Sequence, residues 1–306
     1  MIPLSIVIPL FNEELLISEL VKRVSTNAKK VNKEYEIILV DDGSTDLTWE
    51  RISEEAIIDK RIKGIKFSRN FGHHYAITAG LNESKGEWVV VMDGDLQDRP
   101  EVIPELYAKA QKGYDIVFVS RENRPESKTY KVLQKVFYIL LNLLSGLKFD
   151  SSQANFSIIN RKVVEATKDF SEYSRFYVST INWLGFRRSS ILADHGQRFS
   201  GSPSYTFKKR VKLATDIIVS FSERPLRFAI YLGAIISTIA LMGALWILLE
   251  SFSGETEITG WKSLMIALLF FNGNLLIVIG LTGVYVGKIF QEVKSRPLFV
   301  ISEKTL

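Results

Sequence analysis

Cysteine is absent from the 306 residues of this chain, and histidine occurs only three times. Without cysteine the chain can form no disulfide and no thiolate metal site, and this composition fits a reducing compartment. Two of the three histidines, His73 and His74, are neighbours, so a histidine-rich zinc site is not expected. The sequence also lacks a G-x-G-x-x-G and a G-x-x-x-x-G-K-[ST] segment. Neither a dinucleotide-dependent oxidoreductase nor a P-loop nucleotide hydrolase is therefore indicated.

The charges that are present are segregated along the chain. Residues 1–120 carry 15 Lys and Arg against 20 Asp and Glu, whereas residues 121–225 carry 18 against 9. The mean hydropathy is +0.09 although 24% of the residues are charged, so the apolar residues must be concentrated as well. An acidic first part is thus followed by a basic middle part. Nucleic acid is not the expected partner, because the sequence after the basic part is typical of a membrane protein.

Two long uncharged runs, Phe228–Leu249 and Ser263–Gly287, follow the basic part. As helices they would extend about 33–38 Å each, enough to cross a hydrocarbon core of ~30 Å. Basic residues precede the first run and follow the second, whereas the connection at 250–262 carries three glutamates against one lysine. The positive-inside rule therefore predicts a transmembrane hairpin with both termini in the cytoplasm.

Two further stretches have the composition of helices that lie in the membrane interface, at about 127–146 and at 206–225. Ordinary packing helices are the alternative for both. The predicted organisation is a domain at 1–205 that includes the first of these helices, an amphipathic juxtamembrane helix at 206–225, two transmembrane helices within 226–288 (about 228–249 and 263–287) and a cytoplasmic tail at 289–306. The expected location is the inner (cytoplasmic) membrane, with a multi-pass chain and a cytoplasmic domain.

Strand and helix patterns alternate over the first 120 residues. Short β-branched runs, typical of buried strands, read "LSIVIPL", "EYEIILVDD", "RIKGIKFS", "EWVVVMD" and "DIVFVS". Helix-like stretches begin near Asn12, Thr45, Gly72 and Pro100. This alternation predicts an α/β fold with a mainly parallel sheet. In such sheets ligands bind beyond the carboxyl ends of the strands.

Acidic residues are concentrated at two of those strand ends. In "VVVMDGDLQDRPE", Asp93, Asp95 and Asp98 follow an apolar run directly. This pattern is typical of a polar turn, and also of a site that presents a divalent cation to a phosphate-bearing substrate. In "VDDGSTD" the glycine is expected to turn, and Ser44 or Thr45 is expected to cap the next helix. Capping leaves the doubled aspartate unexplained, and a carboxylate there could accept a hydrogen bond from a base or a ribose hydroxyl.

Four segments in order resemble a known family. "IVIPLFNEE", "VDDGSTD", "FSRNFGHHYAITAGL" and "MDGDLQDRPE" resemble the family 2 glycosyltransferases with a GT-A domain, a Rossmann-like α/β domain. Within that family the chain resembles the polyisoprenyl-phosphate sugar transferases, such as dolichyl-phosphate mannose synthase and, more closely, the bactoprenol glucosyltransferases. The resemblance continues to "VYVGKIFQEVKSRPLF" and so covers essentially the whole chain.

The resemblance implies a role for each candidate site residue. The nucleotide sugar would be bound by Pro9, Glu13, Asp41, Asp42 and Arg69. A divalent cation, Mg²⁺ or Mn²⁺, would be bound by Asp93, Asp95 and Gln97. The acceptor phosphate would be held by Arg121, Arg124, Arg198 and Ser202. Asp93 and Asp95 would also be catalytic, together with Asn155, which stands where most members have an aspartate.

The function predicted from the resemblance is a metal-dependent, inverting transfer of a single sugar to a polyprenyl phosphate such as undecaprenyl phosphate. The donor is a nucleotide sugar, with UDP-glucose as the first choice and UDP-N-acetylhexosamines and GDP-mannose left open. The sequence allows a homo-oligomer. The main alternative is a membrane-bound polysaccharide synthase or another glycolipid-forming member of the same family. Such synthases usually carry Q-x-x-R-W, whereas "GQRFSG" lacks the tryptophan. A catalytically inactive scaffold is disfavoured because the acids are intact.

Overall fold

The chain folds around an eight-stranded sheet in a computed structural model, with strand order β7-β5-β6-β4-β1-β2-β3-β8. The structure describes residues 2–121, 143–144, 153–170, 172, 176–193, 218–219, 222–251 and 260–305. The strands are β1 Leu4–Leu10, β2 Tyr35–Asp41, β3 Ile62–Phe67, β4 Trp88–Val91, β5 Ile116–Arg121, β6 Gln153–Asn160, β7 Arg188–Ala193 and β8 Ile301–Lys304. The pairs β1–β2, β1–β4, β2–β3 and β5–β7 are parallel, and the pairs that involve β6 or β8 are antiparallel. The predicted α/β fold with a mainly parallel sheet is confirmed.

The helices cover both faces of this sheet and explain why its central strands are apolar. They are α1 Ile17–Val31, α2 Thr48–Ile58, α3 His73–Glu83, α4 Ile103–Ala110, α5 Arg161–Lys168 and α6 Tyr177–Trp183; two longer helices, α7 Arg224–Ser251 and α8 Trp261–Val293, follow in the chain and belong to a separate unit. Every residue of β1, β2 and β4 is buried. One core contains the inner faces of α1, α2 and α4, and a second contains those of α3, α5 and α6. Burial on both faces favours near-continuous apolar strands over alternating ones.

Two of the four expected helix starts are displaced. The helices expected near Asn12 and Thr45 begin at Ile17 and Thr48. The helix expected near Gly72 begins at His73, and a short 3₁₀ turn, Pro100–Val102, leads into α4. The first two start late because the preceding residues form loops whose polar groups bond to each other.

The last strand comes from the end of the chain. Ile301–Lys304, within the segment expected to be a tail, pairs antiparallel with β3 and so extends the sheet. The chain divides into two compact units, and residues 296–306 belong to the unit that contains the sheet.

The second unit contains the long apolar helices. In it α7 has 28 residues and α8 has 33. Among the described residues, one stretch of helix is long and apolar enough to cross a membrane: Phe270–Val293, with a mean hydropathy of 1.6. The expected first span is helical, because it lies within α7, but a hairpin of two spanning helices is not confirmed. The hydroxyl of Tyr285 donates a 2.6 Å hydrogen bond to the carbonyl of Ser222 within this unit. The predicted helix at about 127–146 and most of that at 206–225 lie outside the described residues.

Candidate active site

The polar residues expected to form a site are brought to one edge of the sheet. β1, β2 and β4 are parallel, so the residues that follow them lie at the same edge. β6 runs antiparallel to β4, and Val91 pairs with Ser157. The start of β6 therefore lies at this edge too, and Asn155 comes next to Asp93.

The loops after β1 and β2 hold each other through reciprocal hydrogen bonds. Asn12 donates its N–H to Oγ of Ser44 (2.9 Å), and its side-chain oxygen accepts from the N–H of Thr45 (2.9 Å). Glu13 donates its N–H to Oγ1 of Thr48 (2.9 Å). Asn12 has φ +55°, a left-handed conformation that asparagine tolerates better than most residues. The expectation that Ser44 or Thr45 caps the next helix is wrong, because these residues bond to the β1 loop instead.

Asp41 has a carboxylate oxygen that is buried without a partner. Its Oδ1 accepts from the N–H of Ser44 (2.9 Å), whereas its Oδ2 has no hydrogen-bond partner in the described part of the chain. The side chain is inaccessible to solvent, and burial raises the pKa of Asp41 above its usual value. A buried polar atom without a partner is rare in folded proteins and calls for an explanation, such as a ligand. Because solvent does not reach Oδ2 in this structure, a ligand could bond to it only after a neighbouring group moves aside.

Asp42 has both oxygens engaged by one loop. Its Oδ1 accepts from the N–H of Phe71 (2.7 Å), and both oxygens accept from the N–H of Gly72 (3.1 and 2.9 Å). Burial raises the pKa of this carboxyl group, and the two backbone donors oppose that rise. The loop at 68–72 also packs closely on the next residue, Gly43. A Cβ added at Gly43 would come within 2.3 Å of the carbonyl carbon of Arg69.

Pro9, Glu13 and Arg69 complete the set expected around the nucleotide. Pro9 is buried in β1, where it faces Val40 of β2. Glu13 is partly buried in the β1 loop. The guanidinium of Arg69 lies over the ring of Phe71, 4.2 Å from its centroid, and the side chain is exposed at the rim of the edge.

The turn after β4 is fixed by apolar contacts and by its own acids. Gly94 packs on Leu10 so closely that an added Cβ would lie 2.3 Å from Cδ2 of Leu10. Leu96 is buried with φ +60°, an uncommon conformation for leucine. Asp98 is buried and accepts from the N–H of Asp93 (3.1 Å), and Asp95 accepts from the N–H of Gln97 (3.0 Å). Asp98 is thus a buried, structural carboxylate, whereas Asp93 and Asp95 are half-exposed.

His73 lies against this turn, and sequence reasoning missed it. Its Nε2 is 3.2 Å from Oδ1 of Asp93 and 3.1 Å from Nδ2 of Asn155. Nε2 donates to Asp93 when it carries a proton and accepts from Asn155 when it does not. Burial lowers the pKa of His73, but the hydrogen bond and charge of Asp93 and the charges of Asp42 and Asp98 outweigh it, so the net shift is upward. The only signal in the sequence was the position of "FGHH" after a predicted strand.

A chain of polar contacts fixes the strand that carries Asn155. The hydroxyls of Ser157 and Tyr177 are 2.8 Å apart, and Ser157 donates to the carbonyl of Asn155 (2.9 Å). The N–H of Tyr177 donates to Nδ1 of His74 (3.4 Å). Burial lowers the pKa of His74 to about 3, so this ring stays neutral and can accept. Both histidines at the start of α3 therefore contact the surroundings of Asn155.

Of the four candidate residues for the acceptor phosphate, the structure describes one, Arg121. Arg121 ends β5 and pairs with Ala193 of β7, at the same edge of the sheet as Asp93. Arg124, Arg198 and Ser202 lie outside the described residues.

The turn after β4 suits a divalent cation that shares its coordination with a substrate. Within the described ranges no three His, Asp or Glu side chains come together to hold a metal ion by themselves. Mg²⁺ is usually bound by one or two carboxylates together with substrate phosphates, and a site of this kind needs only a pair of acids. Asp93 and Asp95, with the amide of Gln97, fit such a site.

Comparison with known proteins agrees with this geometry. The sequence model of "Glycosyl transferase family 2" matches residues 5–180. An uncharacterized glycosyltransferase of Synechocystis (sll0501) is 38% identical, over 99% of this chain and 95% of its own length. The SfII prophage-derived bactoprenol glucosyl transferase of Shigella flexneri is 34% identical, over 98% of this chain and 97% of its own length.

Among solved structures, glucosyl-3-phosphoglycerate synthase from Mycobacterium tuberculosis, crystallised with Mn²⁺, UDP and glucosyl-3-phosphoglycerate, has the same fold. The TM-score is 0.50 at 18% identity, covering 71% of this chain and 78% of the other. The predicted family is confirmed: the chain belongs to the family 2 glycosyltransferases and has a GT-A fold.

Proposed function

We propose that the protein transfers one sugar from a nucleotide sugar to a polyprenyl phosphate at the cytoplasmic face of the membrane. The observation that carries this proposal is the similarity to a bactoprenol glucosyl transferase over 98% of the chain, apolar helices included. A polysaccharide synthase would need the same donor site, so the end-to-end similarity favours the lipid phosphate as acceptor.

The donor is proposed to bind at the carboxyl ends of β1 and β2. We assign Oδ2 of Asp41, which has no partner among the described residues, to a base N–H that reaches it when the donor binds and displaces the groups covering it, because a carboxylate accepts such a bond more strongly than a neutral side chain. Asp42 contributes through the loop at 68–72, whose N–H groups its carboxylate already binds. We assign Arg69, which is exposed at the rim, to a phosphate or the ribose. Glucose is the preferred sugar because the relative from Shigella flexneri is a bactoprenol glucosyl transferase, and UDP is the preferred carrier.

The donor diphosphate is proposed to lie beside Asp93, Asp95 and Gln97, which would hold Mg²⁺ or Mn²⁺. When bound, the cation offsets the charge of the departing nucleoside diphosphate. The chain itself fixes the two carboxylates through the buried Leu96 and through the bond from Asp93 to Asp98. The solved relative in fold contains Mn²⁺ and UDP, which is consistent with this assignment.

The acceptor needs no general base in this scheme. A phosphate monoester has a second pKa of about 6, so at pH 7 it is mostly a dianion and already nucleophilic. Its oxygen attacks C1 of the sugar from the side opposite the leaving diphosphate, and the configuration inverts. The amide of Asn155, beside Asp93, can donate a hydrogen bond to the sugar or to a phosphate, which an aspartate could not do. Arg121, Arg124, Arg198 and Ser202 are the residues we assign to the acceptor phosphate.

The membrane assignment rests on the surfaces of α7 and α8. Large apolar side chains of both helices are exposed, among them Trp246 (70% exposed) and Ile277 (70%). Exposed apolar surface on this scale marks a site of contact with lipid or protein. We propose that both helices span the bilayer, that residues 1–205 form the cytoplasmic catalytic domain with 206–225 at the interface, and that the termini are cytoplasmic.

A donor screen tests the function. The purified chain in detergent, with undecaprenyl phosphate and Mn²⁺, is offered UDP-glucose, UDP-N-acetylhexosamines and GDP-mannose, and release of the nucleoside diphosphate is followed. One donor is expected to turn over only when the lipid phosphate is present, and Asp93→Asn, a near-isosteric variant, serves as the inactive control. Equal turnover with and without the lipid, or growth of a polymer, would argue against the proposal.

A topology reporter tests the membrane assignment separately. Alkaline phosphatase inserted after Gly254, in the acidic connection, is expected to be active outside the cytoplasm, and a fusion after Leu306 is expected to be inactive. The reverse pattern would place the catalytic domain on the wrong side of the membrane for a cytoplasmic donor.

A further inference from the structure

The C-terminal segment, residues 296–305, returns to the sheet that carries the site. In β8, Lys304 pairs with Ile65 and Ile301 with Phe67 of β3. Beyond β8, Thr305 donates its N–H to the carbonyl of Gly64 (3.0 Å), and its Oγ1 accepts from the N–H of Gly64 (2.7 Å). The segment therefore covers an edge of the sheet with backbone hydrogen bonds, and the register of the pairing shifts between Lys66 and Phe67.

Charged side chains anchor the segment at its far end. A carboxylate oxygen of Glu303 accepts from Nε1 of Trp49 (3.0 Å), and Lys66 lies 3.4 Å from the same carboxylate group. Lys304 forms an ion pair with Glu83. The pair Lys304–Glu83 lies away from the carboxyl ends of the strands, whereas Lys66 is near the carboxyl end of β3, where its charge acts to lower the pKa of Asp41.

At the near end the segment reaches the loop that binds Asp42. The ring of Phe299 stacks on that of Phe67, with centroids 4.9 Å apart and an interplanar angle of 13°. The carbonyl of Val300 accepts from the N–H of Ser68 (2.9 Å), the first residue of the loop. The ring of Phe67 in turn meets that of Phe71 edge to face, with centroids 5.7 Å apart.

The loop at 68–72 also contacts the second residue of the doubled aspartate and the glycine that follows it. Phe71 and Gly72 donate their N–H groups to Asp42, and the backbone of Arg69 packs against Gly43. A continuous series of contacts thus runs from Phe299, through two phenylalanine rings, to the loop after β2. The first and last members of the series are about 250 positions apart in the sequence.

We propose that the C-terminal segment is a positioning element of the donor site, and that Phe299 holds the loop at 68–72 against Asp42 and thereby sets the affinity for the nucleotide. The proposal rests on the proposed function for the identity of that ligand. A purely structural role for the segment, closing the edge of the sheet, would not make donor affinity depend on one ring.

The variants are Phe299→Ala, Phe299→Leu and the control Val300→Ala. Val300 lies in the same segment, its side chain is 49% exposed, and its contribution to the loop is a backbone carbonyl that alanine retains. The full-length chain is used in detergent. Amide hydrogen exchange is followed in a peptide covering 68–76 and in one covering 299–305, and UDP binding is measured by calorimetry with Mn²⁺.

Phe299→Ala is expected to speed exchange at 68–76 and to weaken UDP binding about tenfold, the scale of one lost aromatic pair. Phe299→Leu should change the exchange rate at 68–76 and the UDP affinity in the same direction by about threefold. This variant keeps the test valid if Phe299→Ala releases β8 altogether. Val300→Ala should match the wild type in both measurements. The proposal would be overturned if Phe299→Ala left exchange at 68–76 unchanged, or if it sped exchange but left UDP affinity unchanged. It would also be overturned if Val300→Ala changed exchange and UDP affinity as much as Phe299→Ala does. A wild-type chain that binds no UDP would count against UDP as the donor nucleotide, and the exchange comparison alone would then decide whether Phe299 holds the loop.

Discussion

Asp41 and Asp42 are identical in the sequence and differ in their surroundings, so replacing each by asparagine should give two different defects. Asn preserves the shape of the side chain and removes the charge. In Asp41→Asn the side-chain oxygen can still accept from the N–H of Ser44. The amide group then replaces Oδ2, the buried atom that has no partner among the described residues. Burial disfavours the charged form of Asp41 and raises its pKa, so a neutral asparagine at this position should not destabilise the fold strongly. The free energy of unfolding should therefore change by no more than about 1 kcal/mol.

The same variant should bind the donor poorly. A hydrogen bond to a charged group contributes about 1.5–3 kcal/mol, so its loss should weaken UDP binding roughly 10- to 150-fold. In Asp42→Asn the retained oxygen still accepts from Phe71 and, at 3.1 Å, from Gly72, but the amide replaces the oxygen that accepts from Gly72 at 2.9 Å. One charge-assisted bond is lost and two donors oppose each other, which should lower the free energy of unfolding by about 1–3 kcal/mol. Donor affinity should fall as well, because the loop at 68–72 is released.

Thermal unfolding and UDP calorimetry on both variants make the comparison. The expected result is a low UDP affinity with a normal unfolding temperature for Asp41→Asn, and a lowering of both for Asp42→Asn. The interpretation would be refuted if Asp41→Asn bound UDP normally, or if the two variants unfolded at the same temperature.

Three other residues give separate predictions. Asp95→Asn should reduce turnover by on the order of 10²-fold or more, as the loss of a charge-stabilising group typically does, and excess EDTA should abolish activity in the wild type. Full activity in EDTA would contradict the metal assignment. Asn155→Ala should reduce kcat/KM about 3- to 30-fold, the scale of one or two neutral hydrogen bonds of ~1 kcal/mol, whereas a loss above about a thousandfold would mean that the acceptor does need Asn155 as a central group. His74 stays neutral in the fold because its pKa is about 3, while the unfolded chain takes up a proton below about pH 6.5. Its contribution to stability is therefore complete above pH 6.5 and falls by about 1.4 kcal/mol per pH unit as the pH decreases toward 3. In His74→Asn, which keeps an acceptor for Tyr177, the unfolding temperature should depend less on pH between 6.5 and 5; an unchanged dependence would refute this.

The strands and the site edge were predictable because their signals are local. Buried parallel strands require apolar runs, and such runs mark β1 to β5 in the sequence. The acids that follow β2 and β4 then had to meet at one edge, because parallel strands share it. The family assignment followed from four such motifs in a fixed order.

The last strand and the roles of individual acids were not predictable, because they depend on tertiary contacts. "ISEK" is short and polar, and it becomes β8 only by pairing with β3. Nothing in "VDDGSTD" indicates that the second aspartate binds the loop after β3 while the first keeps an oxygen without a partner. The sequence does not indicate the role of His73, because its contacts with Asp93 and Asn155 join residues that are far apart in the chain.

The helices α1 and α2 begin later than their patterns indicated for the same reason. Asn12 and Ser44 are good capping residues, yet they bond to each other across the edge of the sheet. Local propensity thus gave the type of each element, and contacts between loops decided where two of the helices start.

The central claim is that the acceptor is a polyprenyl phosphate that receives a single sugar. The most direct measurement is the mass of the lipid recovered by organic extraction after the purified chain has been incubated with UDP-glucose, Mn²⁺ and undecaprenyl phosphate. The account predicts one new lipid, heavier than undecaprenyl phosphate by one hexose residue, that is absent with Asp93→Asn. A lipid heavier by several sugars, or a sugar product that stays entirely in the aqueous phase while UDP is released, would contradict it.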